Sequence, residues 1–83
     1  MKGKSISAST PTPTSLMLYK AAVSHFESQK NESLAILKVY FQSSLGVGDH
    51  PNFLDEIKKA AISLSEAEEA LLSLEKYKND ILS

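Results

Sequence analysis

Three groups of residues in this sequence are of types that chemistry uses. The first is Asp49-His50 beside Gly46-Val47-Gly48, with His25 far earlier in the chain. An imidazole next to a carboxylate can hold a metal or move a proton, and closely spaced glycines can let backbone N–H groups approach a phosphate. A metal centre wants three or four converging ligands, and two adjacent residues do not make one. A phosphate cradle follows a strand and carries a lysine or a third glycine at set spacing, whereas the residues before Gly46 have helical spacing. The second group is Glu66, Glu68 and Glu69, with Glu75 and Asp80 beyond. Carboxylates that do acid–base or metal chemistry inside bundles come with a Glu-x-x-His repeat. Here the residues three after Glu66 and Glu69 are Glu69 and Leu72, so a solvated face is the simpler reading. The third group is serine, thirteen in 83 residues. None lies in a nucleophile elbow, and so short a chain has little room to enclose a substrate. No catalytic, metal or cofactor-binding residue is assigned, and the expectation is a protein that is not an enzyme and needs no cofactor.

Composition narrows the classes further. The chain has no cysteine, so neither a disulfide framework nor a thiolate site is open to it. Nine basic against ten acidic residues leave a net charge of −1, and all nine are lysine. Without arginine, bidentate recognition of phosphate is absent, and nothing marks a nucleic-acid or membrane partner. No stretch approaches the roughly twenty apolar residues of a membrane span, and the N-terminus lacks the apolar run of a secretory signal. A cytoplasmic protein is expected.

The elements follow from punctuation. Residues 1–14 hold alternating Ser and Thr with Pro11 and Pro13 and almost nothing bulky, which predicts a flexible, disordered tail. From Ser15 no proline or glycine occurs until Gly46, and Thr14 or Ser15 can cap a helix over about 15–44. Tyr19, Val23, Phe26, Leu37 and Tyr40 recur at helical spacing along it, interrupted by seven polar residues, Glu27 to Ser33. That stretch is either a polar layer or a weak point. The turn is read at 45–50, with Gly46 and Gly48 ending the first helix, Asp49 capping the second and Pro51 in its first turn. Over about 51–82 a heptad seam reads Ile57, Ala60, Leu64, Ala67, Leu71, Leu74, Lys78, Ile81.

A short connection makes the two helices antiparallel neighbours. The predicted fold is all-α, a coiled-coil-like two-helix hairpin folded about Val47, with Tyr40 near Leu54, Leu37 near Ile57, Phe26 near Glu68 and Leu71, and Tyr19 near Leu74. Lys30 would land near Glu66 and Glu68 for a cross-helix ion pair. Serines inside the helices, among them Ser24, Ser33, Ser63 and Ser73, would bury little. Leu34, Phe41, Phe53, Ile62 and Leu72 stay off the seam, and a single hairpin seam offers little core. Those five are the candidate interaction residues. They predict association, most simply a homodimer forming a four-helix bundle, or else contact with another protein.

Leu18-Tyr19-Lys20-Ala21-Ala22-Val23-Ser24-His25-Phe26, then Gly46-Val47-Gly48-Asp49-His50-Pro51 and an Ala-Glu-Ala-rich helix, resembles small uncharacterised helical-hairpin proteins encoded by tailed bacteriophages. The resemblance spans about 16–77 and implies a hairpin in a phage setting, hence the host cytoplasm, but carries over no activity and no site residues. Two functions are expected: an interaction module that binds or modulates a partner protein, or an assembly component of a virion or larger complex.

Overall fold

A computed structural model describes residues 12–42 and 53–83. Helix α1 runs Pro13–Gln42, α2 Phe53–Lys76 and the short α3 Lys78–Leu82. The tail residues 1–11 and the turn and cap residues Gly46, Gly48, Asp49 and Pro51 lie outside the described residues.

Helix α1 starts two residues earlier than the sequence suggested, because the cap is Thr12 and not Thr14 or Ser15. The Ser15 N–H donates to Thr12 Oγ1 at 3.0 Å, and the two hydroxyls lie 2.6 Å apart. Pro13 then occupies the first helical position, where a missing N–H leaves no bond unmade and a fixed φ suits the helix. At 30 residues, α1 passes unbroken through the polar stretch, which is therefore a layer of the hairpin and not a weak point. Helix α2 carries Asp55 and Glu56 in its first turn and Lys76 in its last, each sign matched to the helix dipole.

The two long helices pack antiparallel as a hairpin. Three contacts fix the register: Tyr40 meets the Phe53 ring edge-on at 4.7 Å, Gln29 Nε2 donates to the Ser63 carbonyl at 2.9 Å, and Tyr19 Oη donates to the Leu74 carbonyl at 2.8 Å. The offset is nearly constant, so Phe26 falls opposite Ala67 and Ser33 opposite Ala60. Like heptad positions face each other, and large groups meet small ones in the middle. Helix α1 has its own seam at alternating steps of three and four: Leu16, Tyr19, Val23, Phe26, Lys30, Ser33, Leu37, Tyr40. Ile57, Leu64, Leu71 and Leu74 on α2 are half-buried, as are Tyr19, Val23, Phe26, Leu37 and Tyr40 on α1.

Among the described residues full burial goes only to small ones: Ala67 at 0%, Ser33 at 2% and Ala60 at 4% exposure. The expectation that the helical serines bury little holds for the exposed Ser24 and Ser73 and is corrected at Ser33. Ser33 and the half-buried Ser63 lie where the helices come closest, and a short side chain is what lets them do so.

Helix two is not continuous. At Tyr77 the backbone leaves the α-region, φ −105° and ψ 16°, and α3 begins after it. In an uninterrupted helix the Leu74 carbonyl would take the Lys78 N–H; here it accepts the Tyr19 hydroxyl. Past the break the heptad rotates: Ile81 is exposed and Leu82 is half-buried, the reverse of the predicted seam. Lys78, also predicted on the seam, is exposed, with its ammonium 5.6 Å from the centre of the Tyr19 ring.

Candidate interaction surface

A two-helix layer leaves a groove along each side of its seam, and the two grooves of this hairpin differ. On one side lie Ala22, Gln29, Glu56, Ser63 and Ala70, all half-buried, tied across by the Gln29–Ser63 bond. These five groups are short or hydrogen-bonded; Ile36, at the same heptad position as Ala22 and Gln29, is the large apolar group of α1 on this side and is 36% exposed. The other side holds Lys20, Glu27, Leu34 and Phe41 on α1 and Leu54, Ala61, Glu68 and Glu75 on α2, every one exposed.

This open side divides along its length. Toward the end where the chain passes from α1 to α2 (the connected end), the register sets Phe41 abreast of Leu54 and Leu34 abreast of Ala61. Leu34, Phe41 and Leu54 are 46%, 65% and 59% exposed, so three large apolar groups are left to solvent on one face. Toward the opposite, open end the same side is charged, and a shallow cleft there is lined by Tyr19, Val23, Glu27, Leu71, Glu75 and Lys78.

Of the five interaction residues expected from the sequence, the structure brings Leu34 and Phe41 together on this face. Phe53 is not among them: it is half-buried against Tyr40 and belongs to the seam, because α2 begins there one heptad before Ala60. Ile62 is exposed but points directly away from α1, and Leu72 is exposed near the open end. Sequence reasoning missed Leu54. The signal was present, since Leu34, Phe41, Leu54 and Ala61 all occupy the same heptad position.

The polar groups settle locally. Lys30 occupies a seam position, half-buried, and its ammonium reaches out 3.9 Å from Glu27 on its own helix. The predicted cross-helix pair with Glu66 or Glu68 is therefore replaced by one within α1, toward which the Lys30 stem emerges on the open side. Lys59 pairs likewise with Glu56 at 3.4 Å. Both pairs are solvent-facing and contribute little. His25 is exposed, its ring edge-on to Phe26 at 4.9 Å. Among the described residues no group of three or more His, Asp or Glu is placed to hold a metal ion, and no helix is long and apolar enough to cross a membrane. No protein-family model matches the chain, and no curated protein or solved structure matches it.

Proposed function

We propose that this chain is a non-catalytic protein–protein interaction module that docks its partner on the open side of the hairpin, at the connected end. The observation that carries the reading is the clustering of exposed Leu34, Phe41 and Leu54 on one face, where apolar surface rimmed by polar groups suits a protein contact. In the phage setting implied by the resemblance, such a module would act on a host or virion protein in the host cytoplasm. The test is quantitative capture of bound protein by the full chain and by Leu34→Glu/Phe41→Glu, with Ile62→Glu as control. The face is the docking site if the double variant loses the partner and Ile62→Glu keeps it. Equal capture by all three chains removes the proposal.

A further inference from the structure

The structure points to the partner as well as to the face: we infer that the occupant is a second copy of this chain, connected half on connected half, with the open ends directed apart. The inference rests on the interaction reading above and gives it a partner.

Three observations carry it. First, the hairpin is a single layer. Helices bury their apolar stripes by packing into two layers, yet no large side chain of the described residues is fully buried. One groove is narrowed by Ala22, Ala70 and the Gln29–Ser63 bond and exposes Ile36 at 36%, whereas the other exposes Leu34, Phe41 and Leu54 more fully, so the second layer belongs on the latter.

Second, charge selects the overlap. The open half of this face is charged, with Glu27, Glu68 and Glu75 beside Lys20 and the ammonium groups of Lys30 and Lys78, whereas the connected half carries no charge at the equivalent positions. Laying two copies over each other along their full length in the same sense buries the charged half of each against the charged half of the other, and taking those groups out of water is costly. Reversing one copy at full length sets Leu34 and Phe41 over the partner's charged half. Connected half on connected half, in opposite senses, joins apolar to apolar and leaves both charged halves in water. The arrangement is also isologous, so it closes at two copies.

Third, the area fits a dimer of modest strength. The exposed parts of Leu34, Phe41 and Leu54, with Ala61 and the stems of Lys38 and Lys58 at the rim, amount to roughly 400–500 Å² per copy. A total of about 800–1,000 Å² is at the weak end of specific interfaces, the class of transient contacts, and the dissociation constant expected of it is on the order of micromolar or weaker.

The experiment is sedimentation equilibrium of the full chain from about 1 µM to about 500 µM, a span bracketing that dissociation constant. The expected result is a monomer–dimer equilibrium that Phe41→Glu weakens at least about tenfold and Ile62→Glu leaves alone. Leu54→Gln is a second, milder variant, and circular dichroism confirms that each remains helical. Because the chain has no native cysteine, single spin labels on Lys58→Cys and Ser24→Cys then report the overlap. Opposed copies put the Lys58 labels close together and the Ser24 labels about 40 Å or more apart, from the 1.5 Å rise per residue. A chain that stays monomeric throughout, a dimer indifferent to Phe41→Glu, or short distances from both labels would each overturn the inference. A monomer whose Phe41→Glu variant nonetheless loses a different protein removes the second copy and leaves the interaction reading standing.

Discussion

The middle of the hairpin and its two ends are held by opposite means. In the middle, Ser33, Ala60 and Ala67 are covered almost completely, and Gln29 reaches across to the Ser63 carbonyl. At the ends, Tyr40 against Phe53 and Tyr19 against Leu74 bring far larger side chains together, yet all four stay half-exposed. The difference is geometric. A single facing helix can cover a methyl or a hydroxymethyl group but not an aromatic ring, so in a one-layer structure full burial passes to the smallest residues. The middle therefore sets how closely the helices approach, and the ends supply most of the apolar contact area.

The largest effect is expected where an end-type contact is reversed in sign. Leu71 is a seam residue one turn from the Tyr19–Leu74 contact, and Leu71→Asp places an unpaired carboxylate against Val23. Loss of most helical circular dichroism at micromolar concentration is the expected outcome; full retention would mean that the assigned register is wrong. Glu69→Ala, on the outer face, should leave the signal unchanged.

Next comes Ala67→Leu, which breaks the middle by adding volume instead of charge. Ala67 has no exposure and faces Phe26, so the added carbons have nowhere to go unless the helices separate. Overpacking of this kind costs about 1–3 kcal/mol. For a domain of this size each kcal/mol lowers Tm by about 4–8 °C, which a thermal melt resolves. If the melting temperature rises instead, close approach in the middle is not what holds the hairpin together.

A smaller loss is expected from Gln29→Leu. The hydrogen bond to Ser63 is partly buried, and such a bond contributes about 0.5–1.5 kcal/mol net. Because leucine nearly matches glutamine in volume, the substitution removes the bond while leaving the groove filled, and so tests whether that side stays closed without it. Faster exchange of backbone amides near Ser63 in Gln29→Leu than in the native chain is the outcome that supports a closing role.

Much of this was legible in the sequence, and the exceptions share one cause. The heptad of α2 and the unbroken run of helix-forming residues in α1 announce two helices, and folding about Val47 comes within one residue of the observed register at Tyr19 and Tyr40. What the pattern concealed were positions where a polar residue does an apolar residue's work. Ser33 and Lys30 continue the α1 seam but do not read as seam residues, because hydrophobic periodicity marks only what is apolar. Leu54 escaped because folding about Val47 set it opposite Tyr40, where Phe53 in fact lies. Phe53 was misplaced because its partner, Tyr40, can be known only from the register. The cap at Thr12 was hidden by Pro13, which looks like tail although it is a favoured first helical residue.

The break at Tyr77 was the least legible feature, since nothing in Glu75-Lys76-Tyr77-Lys78 stops a helix. The Leu74 carbonyl at the break is held from the other helix by the Tyr19 hydroxyl, and that makes Tyr19→Phe the most selective test. The substitution keeps the ring, and with it the contact to the Lys78 ammonium, and removes only the hydroxyl that holds the Leu74 carbonyl. Global stability should fall by no more than about 0.5–1.5 kcal/mol. The larger consequence is local: with the carbonyl released, the Lys78 N–H can take it, and α2 and α3 become one helix. The heptad then continues through Tyr77, which turns Ile81 toward the seam and Leu82 away from it, reversing their present exposure. Chemical shifts and amide exchange over residues 76–82 distinguish the two states. Unchanged shifts there would show that the break belongs to the local sequence of helix two and that Tyr19 merely occupies a carbonyl already freed.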